Sequence, residues 1–76
     1  MKRFWGMMPS SEIEITKEFK DRNGLCITIE AGPHGYTITY ADSSTKYADI
    51  DNTSEENFKI AKDIIDSEFN NLIEIK

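Results

Sequence analysis

Carboxylates are the side chains of this 76-residue sequence that could most readily do chemistry, because 14 Asp and Glu stand against nine Lys and Arg and leave a net charge of −5. Six of them lie in segments where apolar residues recur with the two-residue period of a β-strand. If the apolar residues face a core, these carboxylates share the opposite face of a sheet; they are Glu12, Glu14, Glu18, Glu30, Asp49 and Asp51. A face of one sign attracts basic surfaces and repels nucleic-acid phosphates. The pattern therefore predicts a protein partner with a basic surface and no direct nucleic-acid binding, although a merely solvated sheet face gives the same pattern.

A metal site is the second chemistry that the carboxylates could support. Residues 49–53 space their oxygen ligands like the start of an EF-hand calcium loop. The sixth position, which requires glycine, is Ser54, and the twelfth, which requires a bidentate glutamate, is Ile60. We therefore predict no metal site and no cofactor.

Neither the single histidine nor the single cysteine lies in a recognisable catalytic pattern. His34 belongs to a Gly-Pro-His-Gly turn, and no nucleophile or orienting group can be assigned to it from the sequence. Cys26 has no second cysteine with which to form a disulfide, a redox pair or a metal site. These observations predict a protein that is not an enzyme and that resides in a reducing, cytoplasmic compartment.

The N-terminal arm, residues 1–10, lacks any periodicity but is rich in large apolar side chains, among them Trp5 and the Met7-Met8 pair. Its apolar stretch is too short for a signal peptide, and no segment of the chain is long and apolar enough to cross a membrane. Two interpretations of Trp5 remain open. It either caps the core of the domain or contacts a partner.

Three segments of alternating pattern within residues 11–76 predict the strands that must position the carboxylates. The inward residues recur at every second position, with Lys17 among them, and turn sequences separate the segments at 21–24, 32–35 and 42–45. An inward lysine is typical of an edge strand, so the first strand is predicted at the sheet edge. A fourth strand is predicted at 46–50.

The registers follow if inward residues oppose each other across each turn. The predicted pairs are Phe19 with Leu25, Ala31 with Tyr36, and Ile38 with Ile50. In this arrangement Glu14 lies directly opposite Glu30, a like-charge pair that destabilises the sheet.

A helix is predicted to begin at Thr53, because a hydroxyl followed three residues later by Glu56 has the capping-box form. Its apolar stripe is Phe58, Ala61, Ile65, Phe69 and Leu72. The pattern favours a helix that continues nearly to the C-terminus, with a short strand at 72–75 as the alternative. The fold is thus predicted to be α+β, a small two-layer domain in which a three- or four-stranded antiparallel meander precedes one helix packed on one of its faces.

In size, acidity and layout the chain resembles the class of phage- and plasmid-encoded inhibitors that occupy nucleic-acid sites on defence enzymes, although no motif carries this resemblance. It implies a non-enzymatic protein-binding module, an inhibitor or regulator that mimics nucleic acid. The alternative is an assembly protein that forms a homo-oligomer through an edge strand and the aromatic arm. The residues predicted to contact a partner are Trp5 and the six carboxylates.

Overall fold

A computed structural model describes residues 12–69 and 71–75 of the chain. The first four elements are the strands β1 (Ile15–Lys20), β2 (Cys26–Gly32), β3 (Gly35–Thr39) and β4 (Thr45–Asp49). They are followed by the helix α1 (Ser54–Glu68) and the short strand β5 (Ile73–Glu74). The strands form one antiparallel sheet in the order β4-β3-β2-β1-β5. The predicted α+β fold, a meander with one helix packed on it, is confirmed.

The core lies between α1 and one face of the sheet. Its buried apolar residues are Phe19, Ile27, Ile29, Ala31, Tyr36, Ile38, Ala61 and Ile65. The helix begins where the capping box predicts, since Thr53 is the N-cap and its side chain accepts a hydrogen bond from the Glu56 amide at 3.1 Å. Phe58 and Phe69 pack at the border of this core and are only partly buried.

Two hairpins share one loop geometry, and this geometry corrects two of the predicted registers. In the first, Asp21 bonds to Leu25 around a three-residue loop that ends in Gly24 at a φ of +85°. In the second, Tyr40 bonds to Ser44 around a loop that ends in Ser43 at a φ of +72°. Each three-residue loop brings its two strands together in a different register from the one predicted. The inward residues therefore lie opposite other residues of the partner strand. The observed pairs are Phe19 with Ile27 and Ile38 with Lys46, while Ala31 pairs with Tyr36 as predicted.

The C-terminal segment differs from the favoured prediction of a continuing helix. The helix ends at Glu68, and the C-cap residue Phe69 is already extended. Asn71 then adopts a φ of +60°, a left-handed conformation that asparagine tolerates, and turns the chain back towards the sheet. Strand β5 pairs with the C-terminal half of β1, where Ile73 lies opposite Lys20.

Strand β1 is therefore not an edge strand along its whole length, in contrast to the prediction from Lys17. The ammonium group of Lys17 instead forms an ion pair with Glu74 of β5, with Nζ and Oε2 separated by 3.0 Å. The outermost strands of the described sheet are β4 and β5. The one helix of the described ranges lacks the length and apolar character needed to cross a membrane.

Candidate functional site

One end of the domain is built where the β2–β3 turn meets the segment that follows β4. The amide of Ile50 donates to the His34 carbonyl at 2.9 Å, and the amide of Asn52 donates to the Pro33 carbonyl at 3.0 Å. These bonds hold residues 50–52 beside the turn. They therefore fix the position of every side chain that this segment carries.

The side chain of Asn57 holds the helix against this same end of the sheet through hydrogen bonds. Its side chain is fully buried, and Nδ2 donates to the carbonyl of Gly32 at 2.7 Å and to that of Ile50 at 2.9 Å. A buried amide nitrogen without partners costs free energy, so the two bonds of Nδ2 favour this docking, although Oδ1 is buried without a partner among the described residues. The first turn of α1 is thereby held against the end of the sheet.

The acidic end is the name we give to the six carboxylates that meet here. Asp51 accepts a hydrogen bond from Nδ1 of His34 at 3.0 Å, and Glu12 lies close enough to act on the charge of the same imidazole. Glu14 accepts from the hydroxyl of Ser54 in the first helical turn. Asp49 lies opposite Gly35 at the end of β4. The members of the acidic end are Glu12, Glu14, Asp49, Asp51, Glu55 and Glu56.

The charge of this end affects its one histidine. The hydrogen bond with Asp51 is the main cause that raises the pKa of His34 above its ordinary value of 6.5, and the negative charge of Glu12 adds to it. His34 itself is exposed in its turn, as the sequence predicts. The surroundings of this exposed imidazole therefore favour its protonated form.

The lysine ion pairs of the described residues all lie elsewhere. They join Lys17 to Glu74, Lys46 to Glu68 and Lys62 to Asp66. Within residues 12–69 and 71–75, no lysine or arginine forms an ion pair with a carboxylate of the acidic end. Lys20 and Arg22 lie at the hairpin at the opposite end of the sheet, together with Asp21.

The predicted single face of six carboxylates is only partly realised. Asp49 and Glu30 point to the face of the sheet away from α1, whereas Glu14 turns towards the helix and bonds to Ser54. Glu30 lies opposite Thr16, so the predicted Glu14–Glu30 pair is wrong, because it rested on the incorrect first register.

The outer face also carries a basic residue and a buried hydroxyl group. Glu18 shares this face with Lys20, which lies opposite Cys26. At its centre Thr37 is only 2% exposed, between Glu30 and Tyr47 in the ladder. The outer face is therefore a mixed surface with a buried threonine at its centre, and the acidic residues concentrate at its end.

Two further predictions concern other kinds of site. Trp5 and the whole N-terminal arm lie outside the described residues. Among the residues that are described, no group of three or more His, Cys, Asp or Glu is arranged to hold a metal ion.

A cavity that the sequence did not indicate lies at the other end of the domain, with a volume of about 480 Å³. Its lining combines apolar side chains, including Leu25 and Phe69, with a polar rim of Tyr40, Asp42 and Glu68. The hydroxyl of Tyr40 donates to Glu68 at 2.7 Å. Partial burial, followed by this bond, raises the pKa of Tyr40, while the bond from Lys46 is the main cause that lowers the pKa of Glu68. The rim carboxylate is thus already paired with a lysine, whereas no carboxylate of the acidic end forms an ion pair with a lysine or arginine of the described residues.

In comparisons with known proteins, the chain matched no protein-family model, no curated protein and no solved structure.

Proposed function

We propose that this protein is a non-enzymatic protein-binding module of the cytoplasm that docks its acidic end on a basic surface of a partner. The observation that carries the proposal is the convergence of Glu12, Asp49 and Asp51 at one end of the fold without a lysine or arginine ion pair among the described residues. Glu18 and Glu30 extend the negative surface along the outer face. The action that follows is inhibition or regulation of the partner.

The helix dipole reduces the contribution that the carboxylates of the first helical turn make to the attraction of a basic partner. Glu55 and Glu56 lie in the first turn of α1, where negative charge is stabilised by the positive end of the helix. Their charge is therefore partly compensated within the fold. Glu12, Asp49 and Asp51 lie outside the helix, so their field extends further into solvent and accelerates the encounter with a basic partner.

The same chemistry favours a partner surface that otherwise binds nucleic acid. A groove that binds nucleic acid is lined with lysine and arginine, which neutralise phosphates. Carboxylates on a rigid scaffold present negative charge to such a groove as the phosphates of a nucleic acid do. The acidic end is rigid because Asn57 and the backbone bonds of residues 50 and 52 hold its segments together. A nucleic acid that binds the partner is therefore expected to compete with this protein.

The test compares two double variants with the same net charge. Glu12→Gln with Asp51→Asn neutralises the acidic end, whereas Asp63→Asn with Asp66→Asn neutralises two carboxylates of the helix. The second pair loses only a surface ion pair of Asp66 with Lys62, which contributes little to stability.

Association rates are measured at several salt concentrations with a purified basic partner obtained by affinity capture, with a duplex or single-stranded nucleic acid as competitor. We expect the first variant to bind about a kcal/mol or more weakly, chiefly through slower association at low salt, and the second to bind like the parent. Equal losses in the two variants would show that only net charge matters. Unchanged binding in both would overturn the proposal.

A further inference from the structure

The backbone of β4 has one edge that no described strand occupies. The amide of Tyr40 donates to the carbonyl of Ser44, and that of Ile50 donates to the carbonyl of His34. These bonds show that the backbone amides and carbonyls of the even-numbered residues in 44–50 face β3. Hydrogen-bonding groups alternate between the two sides of an antiparallel strand, so the amides and carbonyls of Thr45, Tyr47 and Asp49 point to the open edge. They form a regular array of donors and acceptors.

We propose that this edge binds the same edge of a second copy of the chain, with the two β4 strands antiparallel and centred on Tyr47. In this register Tyr47 lies opposite Tyr47 of the second copy, and Thr45 lies opposite Asp49. Each of these pairs exchanges two backbone hydrogen bonds, so the three open residues of each copy are all satisfied. The two sheets join into one continuous sheet with closed twofold symmetry.

The side chains select this register over its neighbours. Sliding one strand by two residues in one direction separates the two Tyr47 residues and places Thr45 opposite Asp51, which lies beyond the end of β4. Sliding it by four residues places Asp49 opposite Asp49, and like charges directly opposite destabilise a sheet. A shift in the other direction pairs β4 with the turn at 41–44, which is not extended. The centred register instead places the half-exposed Tyr47 rings side by side on the outer face, an aromatic pair that stabilises strand pairing.

Lys46 does not protect the edge. A lysine on an edge strand commonly prevents pairing with another chain. Here its ammonium group is bound to Glu68 and lies 5.9 Å from the centre of the Tyr40 ring, so it is held over the inner face. In the centred register Lys46 faces Ala48 of the second copy, which carries no charge.

Salt separates this self-association from docking on a basic partner. Each copy carries a net charge of −5, so the two copies repel each other and added salt relieves the repulsion. The dimer is therefore strengthened by salt, whereas the complex proposed above is weakened by it. The edge residue Tyr47 is not part of the acidic end, so each proposal can fail without the other.

The experiment measures mass by sedimentation velocity and by light scattering after size exclusion, from low micromolar to millimolar protein and at two salt concentrations. Tyr47→Pro removes the amide that faces the open edge and leaves the hydrogen bonds to β3 intact, since those come from residues 46 and 48. Tyr47→Glu keeps the backbone and places two like charges opposite each other at the twofold axis. Tyr47→Gln is its uncharged control. Thermal melting verifies that each variant folds.

For the parent we expect a reversible monomer–dimer equilibrium that shifts to dimer with salt. Tyr47→Glu should weaken the dimer about tenfold or more relative to Tyr47→Gln, and a folded Tyr47→Pro variant should remain monomeric. A parent that is monomeric at every concentration would overturn the proposal. A dimer that survives Tyr47→Glu, or an assembly larger than a dimer, would overturn it as well.

Discussion

The carboxylate of Glu14 accepts a hydrogen bond from the hydroxyl of Ser54, 2.5 Å away across 40 positions of sequence. Ser54 is 4% exposed and is the first residue of α1, whereas Glu14 directly precedes β1. The bond therefore joins the entrance of the sheet to the first turn of the helix. Glu14 contributes to the fold as well as to the negative charge of the acidic end.

Replacing Ser54 with alanine removes the donor of this bond. We expect Ser54→Ala to lower the free energy of unfolding by about 1 kcal/mol, because a hydrogen bond to a charged acceptor is lost from a partly buried place. Glu14→Gln keeps an oxygen that can accept the same bond and should cost less. Chemical denaturation of the two variants measures the difference. A larger cost for Glu14→Gln would show that charge, rather than the hydrogen bond, links the two elements.

Gly35 lies where the backbones of β3 and β4 approach closely. A Cβ at this position would be 2.0 Å from the carbonyl oxygen of Ala48, and its φ is +147°. We expect Gly35→Ala to reduce stability by several kcal/mol or to prevent folding, because the atom that must move is backbone. Gly24→Ala is the matched control, since Gly24 has a φ of +85° but no atom within 4 Å of the added Cβ. It should cost only about 1 kcal/mol, and equal melting temperatures for the two variants would contradict this account.

Ile65 is the helical residue at the centre of the core and is fully buried. Ile65→Ala should lower stability by about 2 to 5 kcal/mol through lost burial and the cavity left behind. Ile64 is adjacent in sequence but only partly buried, so Ile64→Ala should cost clearly less. Thermal melting of both variants compares the two faces of the helix. Similar losses would mean that the helix does not bury one side.

The imidazole of His34 gives the acidic end a dependence on pH. Its pKa is raised chiefly by the bond to Asp51, so folding favours the protonated form. The resulting stabilisation is fully present below the ordinary pKa of 6.5 and is lost as the pH rises through the higher pKa of the folded protein. Asp51→Asn should move the pKa of His34 back towards its ordinary value, which a nuclear magnetic resonance titration of the ring detects. Asp63→Asn should leave that titration unchanged.

Local signals predicted the parts of the fold that depend on local structure. The helix begins at Ser54 because the cap at Thr53 is complete within four residues, and Ala31 pairs with Tyr36 because the turn between them is short. The other registers depended on left-handed residues at Gly24 and Ser43, and the sequence does not show how many residues such a loop contains. Strand β5 is only two residues long, so its pairing with β1 determines its structure.

The sequence predicted which acidic residues belong to the candidate site, but it did not predict where in the fold they come together. The acidic residues around 12–14 and 49–51 are evident in the sequence, yet their convergence depends on long-range contacts. Asn57 is the residue that sequence reasoning missed, although a signal existed. It lies four positions before Ala61 on the apolar stripe of the helix, and a polar residue on such a stripe often bonds to a distant backbone group.

The Asn57 side chain also favours one order of folding over another. Its Nδ2 group is satisfied only when the carbonyls of Gly32 and Ile50 already lie side by side, which requires both strand ends to be in place. A helix that docked earlier would bury an amide without partners, at a cost that opposes docking. We therefore expect the meander to close first and the helix to dock last. Amide hydrogen exchange should then show the first helical turn opening at a lower free energy than the amide of Ile50, whose bond to His34 belongs to the meander.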